Sequence, residues 1–456
     1  MGIKHAIFLF LNVNKRGNII LISMMILIKD AILVSYIDDV LIQKRGSILV
    51  DGSVIAEVGD LNFESRASRA DTVIDGRDMI VIPGFVNLHA HSGPTAIRGL
   101  AEDLPLSKWL ERYVDPAHRS LSREDAEVDY ELAYLEMLKS GITHVLDMYR
   151  FPEVGIAAAN QLGIRTTIAP YTADVYDYFE SPDDTANNVS KHSNFSGLGR
   201  VWPGFEHISY CTEACLEQMS KLAREYGTGI HTHEFETLDF VERVVKMYGK
   251  RPLSIFREFG MLDQNLILAH CVWPMPEELR TMADAGVSVA HNPTSNMKLA
   301  SGPAPITQML RLGMNVGLGT DGVKENNRLD LFQEMKNASL MQRVMHSDAS
   351  LISSSQAFWM ATVAGNRALK MKAGQLRKGY LADMVLIDAS APNMNPLYME
   401  NAISAIVYSA HPGNVRAVMV NGKIVVQNGF HVEAKEQEIV QRARSRGSAL
   451  LSKMGL

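Results

Sequence analysis

Apolar runs alternate with amphipathic segments through the middle of the chain. The apolar runs, most of which end in polar residues, cover residues 79–91, 142–148, 165–171, 201–207, 229–236, 266–272, 287–292 and 315–321. Helical periodicity between them covers, among others, residues 123–139, 213–226, 238–247, 275–285 and 306–312. Short apolar runs that alternate with helices are typical of buried parallel strands. Eight such strands predict an α/β fold with a (β/α)8 TIM-like barrel over residues 81–371.

The two ends of the chain show a different pattern, in which strands are joined by tight turns. Residues 46–59 and 417–429 each read as strand, turn, strand, with Asp-Gly and Asn-Gly at the turns. These dipeptides favour a two-residue hairpin loop because a type I′ turn needs positive φ at both positions. The pattern predicts a small β-sandwich domain formed from both chain ends, residues 25–80 and 372–440, followed by a C-terminal helix over residues 441–456.

Residues 1–24 contain two apolar runs separated by Lys15 and Arg16. Neither run reaches the roughly 18–20 residues that a membrane span needs. The first run also lacks the small-residue cleavage site of a signal peptide. We therefore expect an extension outside the fold, a folded part that starts near Met24 or Met25, and no association with a membrane.

A long polar segment, residues 172–200, joins the third and fourth predicted strands. Long connections in compact domains are uncommon and often functional. The sequence therefore predicts a loop that acts as a lid or contacts the substrate.

Composition excludes some classes of protein. The chain has 456 residues, of which 46% are hydrophobic and 21% charged, as in ordinary soluble proteins. The net charge of −6 gives no basic surface for nucleic acid, so we expect no nucleic-acid partner. Three cysteines are too few for a disulfide framework and favour a cytoplasmic location.

Polar residues collect where the predicted strands end. They include seven of the 14 histidines, and the set is His89, His91, His207, His231, His233, Glu236, His270, His291 and Asp321. Active sites of parallel barrels lie at the carboxyl ends of the strands. A single histidine there is most simply a core residue, but so many at one rim indicate a functional site.

The spacing of His89 and His91 adds a specific expectation. Residues two apart on a strand point to the same face, so both imidazoles aim into the mouth of the barrel. Neutral imidazole suits zinc or ferrous iron. A third ligand from the fifth strand and a carboxylate from the eighth would leave one position open for water, as a catalytic site requires.

Five motifs carry a resemblance to a known family: "PGFVNLHAH", "HEFET", "LAHCV", "HNPTSNMKLASGPAP" and "GTDG". The chain resembles the amidohydrolase superfamily over nearly all of residues 25–450. Within it, the chain is similar to the mononuclear branch of S-adenosylhomocysteine and methylthioadenosine deaminases, cytosine and guanine deaminases, and s-triazine hydrolases.

The resemblance implies one divalent metal ion, zinc or alternatively iron, held by His89, His91, His233 and Asp321. Binuclear members bridge two metals with a lysine at the end of the fourth strand, where this chain reads "VWPGFEH". A single ion is therefore expected. His231 shares a face with His233, and we expect it to pack beside the ligands.

The resemblance also implies three catalytic residues around a metal-activated water. Asp321 would orient that water or take its proton. Glu236 would carry a proton to the ring nitrogen and the departing ammonia, and His270 would stabilise developing negative charge.

The expected substrate contacts are Trp109, His118, His207 and Glu325. His118 stands where the adenosine-type enzymes have a ribose-binding glutamate, and Glu325 stands where they have a serine. Trp109 could equally be the buried tryptophan of an amphipathic helix, and Glu325 a surface residue. These departures predict a compact purine, pterin, pyrimidine or triazine ring, with methylthioadenosine and S-adenosylhomocysteine as poor substrates.

The function predicted is hydrolytic deamination of an aminated N-heterocycle, by a protein that we expect to be a homo-oligomer. One alternative uses the same metal site to cleave a different bond. The protein would then be an s-triazine chlorohydrolase or alkylaminohydrolase, or a hydrolase of a urea or carbamate C–N bond. A second alternative is a non-catalytic assembly protein, which the retained ligand set disfavours.

Overall fold

The structure is a computed structural model that describes residues 11–13, 19–21, 24–60, 66–100, 102–104 and 106–456. Its strands are β1 (Leu11–Val13), β2 (Ile19–Leu21), β3 (Met25–Ile37), β4 (Val40–Asp51), β5 (Val54–Gly59), β6 (Thr72–Asp75), β7 (Met79–Pro83), β8 (Phe85–Ala90), β9 (Ile142–Asp147), β10 (Arg165–Ile168), β11 (Gly199–Val201), β12 (Gly204–Phe205), β13 (Ile230–Glu234), β14 (Leu266–His270), β15 (Ser288–His291), β16 (Asn315–Leu318), β17 (Met384–Asp388), β18 (Val415–Val420), β19 (Lys423–Gln427) and β20 (Phe430–His431). The α-helices span Leu106–Trp109, Asp115–Ser120, Arg123–Lys139, Pro152–Leu162, Pro182–His192, Glu213–Tyr226, Leu238–Tyr248, Pro252–Glu258, Pro276–Ala285, Pro293–Lys298, Ile306–Arg311, Leu331–His346, Ser354–Trp359, Gly365–Ala368, Ala402–Ser404 and Glu436–Lys453.

Two parallel sheets occupy the middle of the chain, as the alternating pattern predicts. One has the order β11-β10-β9-β8, and the other has the order β12-β13-β14-β15-β16. The chain just after β16 returns to the end of β8, where the backbone N–H of Asp321 donates to the carbonyl of His89 at 3.0 Å. At the other side, the chain passes directly from β11 to β12, and the N–H of His231 in β13 donates to the carbonyl of Pro203 at 3.2 Å. These contacts bring the carboxyl ends of the strands to one rim.

The first predicted strand, residues 79–91, is divided between two sheets, so its prediction as one strand was wrong. Its first half is β7, which pairs with β17, and its second half is β8, which pairs with β9. Gly84 lies at the crossing point, where an added Cβ would meet Thr143 Oγ1 at 2.1 Å. The close approach of β9 therefore explains why a glycine occupies the crossing point.

Strands from both ends of the chain pair in one nine-stranded sheet, in the order β20-β19-β18-β17-β7-β3-β4-β5, with β6 beside β3. The second hairpin turns at Asn421 and Gly422, which have φ of 52° and 76°, as a type I′ turn requires. The first hairpin turns one residue later than predicted, because Asp51 pairs with Val54. The division of the chain into a barrel and a β-sandwich domain stays a prediction.

The polar segment of residues 172–200 is not the continuous loop that we predicted. It contains the helix Pro182–His192, which begins after Ser181. The Ser181 hydroxyl accepts a hydrogen bond from the backbone N–H of Asp184 at 3.1 Å, which is a normal N-terminal cap. The sequence Ser-Pro-Asp-Asp carries this signal, and the high polarity of the segment obscured it.

The ends of the chain add two smaller features. β1 and β2 pair with each other as a separate antiparallel sheet. The prediction for residues 1–24 otherwise falls on 1–10, 14–18 and 22–23, which lie outside the described residues. The predicted C-terminal helix spans Glu436–Lys453. Among the helices that the structure describes, none has the length and apolar character needed to cross a bilayer.

Candidate active site

The four expected metal ligands meet at the rim of the parallel sheets. The potential ligand atoms of His89, His91 and His233 all lie within 4.8 Å of one another. His91 Nε2 is 3.1 Å from Asp321 Oδ1 and 3.1 Å from His233 Nε2. His89 Nε2 is 3.4 Å from the same Asp321 oxygen. The rim geometry predicted from the strand ends therefore brings these side chains together.

Backbone carbonyls orient two of the imidazoles. His91 Nδ1 lies 2.8 Å from the carbonyl oxygen of Met148, and His233 Nδ1 lies 2.7 Å from that of Glu206. A carbonyl only accepts, so each Nδ1 carries the proton, and each neutral ring has a lone pair on Nε2. Fixing the tautomer through the other ring nitrogen is typical of metal-binding histidines.

His89 is oriented by a side chain, His231, which is itself hydrogen-bonded to a backbone carbonyl. His231 Nδ1 donates to the carbonyl of Ile267 at 3.0 Å, so its Nε2 can only accept. That Nε2 lies 2.8 Å from His89 Nδ1, which therefore donates. His89 Nε2 is left with a lone pair and, within the described part of the chain, no hydrogen-bond partner. His231 thus supports a candidate ligand from behind.

The charges at this site suit a divalent cation. Burial lowers the pKa of His89 and His233 well below the usual value, so both rings are neutral at working pH. Asp321 Oδ1 lies 3.1 Å from His91 Nε2 and 3.4 Å from His89 Nε2, so a carboxylate and two lone pairs face each other with no proton between them. Ser295 Oγ donates to Asp321 Oδ2 at 2.7 Å. Three imidazole lone pairs and one carboxylate are a donor set that zinc accepts.

The two expected proton-handling residues flank the four ligands. Glu236 follows β13 and accepts a hydrogen bond from Ser301 Oγ at 3.1 Å. His270 ends β14, with Nδ1 2.9 Å from Asn296 Oδ1 and Nε2 3.8 Å from Asp321 Oδ2. Burial alone would lower the pKa of His270, but Glu236 and Asp321 outweigh burial and raise it. Both side chains line the cleft above the site.

Three of the four expected substrate contacts line this cleft: Trp109, His118 and Glu325. His207 is not among the lining residues. Its Nδ1 accepts the backbone N–H of Ser209 at 3.1 Å, and its Nε2 lies 3.3 Å from Glu234. The structure therefore places His207 within the wall, away from the cleft surface.

Sequence reasoning missed several residues that line the cleft, notably Asp115, Tyr171, Phe179, Glu206 and Lys324. Tyr171 closes the third predicted strand, and its hydroxyl lies 2.9 Å from His91 Nδ1. Its position at a strand end was a usable signal. Lys324 adjoins Glu325 in the "GTDG" loop, but a lysine beside a carboxylate in a loop is usually a solvated pair, so the sequence gave no reason to place it inside.

Comparison with known proteins agrees with the motifs. Residues 80–425 match the amidohydrolase family. The 5-methylthioadenosine/S-adenosylhomocysteine deaminase of Thermococcus onnurineus is 40% identical over 387 residues, which are 84% of this chain and 90% of that protein.

Two solved structures extend the comparison to the fold. An adenosine deaminase from Xanthomonas campestris with bound zinc has a TM-score of 0.87 and 28% identity, covering 94% of this chain and 98% of that chain. Atrazine chlorohydrolase from Arthrobacter aurescens, complexed with zinc, has a TM-score of 0.85 and 26% identity, covering 93% of this chain and 99% of that chain. These matches confirm the resemblance drawn from the motifs. The protein is therefore a hydrolytic enzyme of the amidohydrolase family that acts on C–N bonds.

Proposed function

We propose that the protein is a mononuclear metal-dependent deaminase of a small aminated N-heterocycle. The observation that carries the proposal is the convergence of three imidazoles, whose ligand atoms lie within 4.8 Å of one another, on the Asp321 carboxylate, which is 3.1 Å from His91 Nε2 and 3.4 Å from His89 Nε2. Zinc is the proposed ion, with ferrous iron as the alternative, because imidazole suits both. The zinc in the adenosine deaminase and the atrazine chlorohydrolase supports this choice.

The proposed fold is a closed (β/α)8 barrel of TIM type with a small β-sandwich domain. The hydrogen bond from Asp321 N–H to the His89 carbonyl supports closure between the last and first strands. The N–H of His231 also donates to the carbonyl of Pro203 at 3.2 Å, next to β12. The nine-stranded sheet formed from both chain ends supports the second domain.

The end of the fourth strand supports one ion rather than two. β12 is followed by Glu206, whose carbonyl is occupied by His233 Nδ1. The sequence there has no lysine that could bridge a second metal. This supports a site with His89, His91, His233 and Asp321 as its only protein ligands among the described residues.

The residues around the ion have distinct proposed roles. His89, His91, His233 and Asp321 would hold the divalent ion, which would lower the pKa of a bound water toward neutrality and so make a nucleophile available at working pH. Asp321 orients that water and accepts its proton. Glu236, held by Ser301, delivers a proton to the ring nitrogen beside the reacting carbon and then to the leaving amine. His270, with a raised pKa, donates to the oxygen where negative charge develops.

Two broader proposals concern the setting of the enzyme. We propose a cytoplasmic location. It is supported by three buried cysteines, none of which forms a disulfide, as is usual in a reducing compartment. We also propose a homo-oligomer with no nucleic-acid partner, in keeping with a net charge of −6. The proposed partner at the active site is a small heterocyclic substrate.

The leaving group tests the proposed function. Zinc-loaded protein is incubated with amino-substituted purines, pterins, pyrimidines and triazines, and with chloro- and alkylamino-triazines. We expect ammonia release from the amino-substituted rings. Release of chloride or alkylamine without ammonia would instead identify a triazine hydrolase, and no reaction with any ring would contradict the proposal.

A further inference from the structure

We propose that Lys324 and Glu325 select rings in which a carbonyl group lies beside a ring N–H, that is, rings with a lactam edge. The inference rests on the proposed deaminase function and names the class of heterocycle that the site prefers. It depends on two adjacent charged residues that are buried at the wall of the cleft.

The two side chains form a buried ion pair next to the reaction centre. Lys324 Nζ lies 2.6 Å from Glu325 Oε1, and the side chains are only 1% and 7% exposed. A carboxylate oxygen of Glu325 lies within 4.8 Å of ligand atoms of His91 and Asp321. The pair therefore lies beside the position of the reacting carbon, and a ring bound there meets both charges.

Each partner keeps hydrogen-bonding capacity that the protein does not use. Among the residues that the structure describes, Glu325 Oε2 has no hydrogen-bond partner. The Lys324 ammonium has three N–H donors, and among the described residues its Nζ makes an ion pair with Glu325 but has no hydrogen-bond partner. A Trp109 ring 5.8 Å from Nζ covers the ammonium on one side. Buried polar atoms without partners are costly, so a ligand that satisfies them is favoured.

The chemistry of the pair specifies the ligand edge. An ammonium donor beside a carboxylate acceptor complements an acceptor beside a donor, which is the C=O and N–H of a lactam. Guanine-type and pterin-type rings carry this edge next to their amino-bearing carbon. The adenine base offers only ring-nitrogen acceptors away from its reacting amidine, so Glu325 would find no N–H partner on that ring.

Ring pairs that differ only in the lactam provide the test. Guanine is compared with 2-aminopurine, and pterin with 2-aminopteridine, by ammonia release from zinc-loaded protein. We expect kcat/KM to favour the lactam ring by roughly 5–150-fold, the discrimination typical of one buried polar group left unpaired. The Glu325→Gln variant keeps an acceptor and should retain part of the preference, whereas Glu325→Leu should lose it.

A double variant guards against misfolding, because Glu325→Leu leaves Lys324 buried without its partner. Lys324→Met with Glu325→Leu removes both charges together and should fold, deaminate both ring types and show no lactam preference. A lactam preference that survives in this double variant would overturn the inference.

Calorimetry separates this inference from the proposed function. Binding of guanine and 2-aminopurine to the zinc-loaded Glu236→Gln variant reports recognition without turnover. Tighter binding of guanine, lost in the Lys324→Met and Glu325→Leu background, supports the inference even if no ring releases ammonia. Equal binding, or equal kcat/KM for both rings, overturns the inference and leaves deamination standing.

Discussion

At the scale of single residues, hydrogen bonds to Nδ1 decide what the rim histidines can do. Main-chain carbonyls fix the tautomers of His91 and His233, and His231 fixes that of His89. Each ring therefore presents an unprotonated Nε2 to the same point. The orientation of the three proposed ligand rings is therefore set by the hydrogen-bond partners of their Nδ1 atoms.

His231→Ala should weaken metal binding although His231 is not a proposed ligand. Loss of its Nε2 removes the acceptor that orients His89 Nδ1 at 2.8 Å. Loss of such a supporting group typically costs about 10–100-fold in metal affinity. Competition for zinc with a chromophoric chelator measures the change.

His144→Ala is the matched control for this variant. His144 is a buried strand histidine whose Nε2 lies 3.0 Å from Thr167 Oγ1, and it contacts none of the proposed ligands. We expect its zinc affinity to match that of the wild type. Equal affinity in the His231 and His144 variants would show that His231 only fills space.

Glu236→Gln should keep the metal and lose turnover. The amide can still accept from Ser301 Oγ, which lies 3.1 Å from the carboxylate, but it cannot carry a proton. General acid–base groups contribute about 10²–10⁴-fold to rate. Steady-state kinetics and metal analysis of the same sample measure both properties.

Glu242→Gln, at an exposed position on the helix Leu238–Tyr248, is the control and should behave as the wild type. Retention of more than about a tenth of wild-type activity by Glu236→Gln would show that another group carries the proton.

The meeting of the four proposed ligands at one rim was predictable from the sequence, and the contacts that orient them were only partly so. His89 and His91 are two apart on one strand, so their shared face follows from local geometry. The contact between His231 and His89 joins residues 142 positions apart, and no local pattern encodes it. Asp321 adopts a φ of 60°, a left-handed conformation that only the folded rim imposes.

At the scale of elements, helices with clear boundary residues were predictable, and the change of sheet within a strand was not. The helix Glu213–Tyr226 has the predicted bounds because Thr212 caps its start and Gly227, with φ of 65°, ends it. The Pro83-Gly84 dipeptide in the apolar run of residues 79–91 signals a break. The exchange of partners at that point, from β17 to β9, depends on strands that lie far away in the sequence.

Phe179→Ala should raise KM with little change in kcat. Phe179 precedes the helix Pro182–His192 and lines the cleft, with its ring centroid 5.7 Å from Tyr171 and 5.9 Å from His118. Aromatic contacts of this kind are worth about 0.5–1.5 kcal/mol, or roughly 2–12-fold in binding. Initial-rate kinetics on the preferred ring measure the change.

Phe195→Ala in the same segment is the control for Phe179→Ala. Its ring lies 4.5 Å from the Arg200 guanidinium and is not among the residues that line the cleft. We expect an unchanged KM. A rise in KM of the same size in both variants would attribute the effect to loosening of the segment and not to substrate contact.

At the scale of the whole molecule, a buried ion pair joins the parallel strands to the nine-stranded sheet. Arg165, in β10, contacts Asp383, next to β17, through two atoms at 3.3 Å, and the side chains are 5% and 4% exposed. Asp383 also accepts the N–H of Asn421 at 2.6 Å. One carboxylate thus links the parallel strands to a hairpin from the C-terminal part of the chain.

Arg165→Ala should destabilise the fold strongly because it leaves Asp383 buried without its cation. Breaking a buried pair typically costs about 3–5 kcal/mol. Chemical denaturation followed by circular dichroism measures the free energy of unfolding. The exposed pair of Arg377 and Asp38 is the control, and Arg377→Ala should cost less than about 1 kcal/mol. An equal decrease in the free energy of unfolding in both variants would mean that the buried ion pair with Arg165 contributes no more to stability than an exposed pair.

The metal content of the purified protein tests whether His89, His91, His233 and Asp321 form a single metal site. The protein is loaded with zinc, freed of excess ion by gel filtration and analysed for metal and protein in the same sample. We expect about one equivalent per chain, and less than about a tenth of this in Asp321→Ala with His89→Ala. Two equivalents, or one equivalent that persists in that double variant, would contradict a single site built from His89, His91, His233 and Asp321.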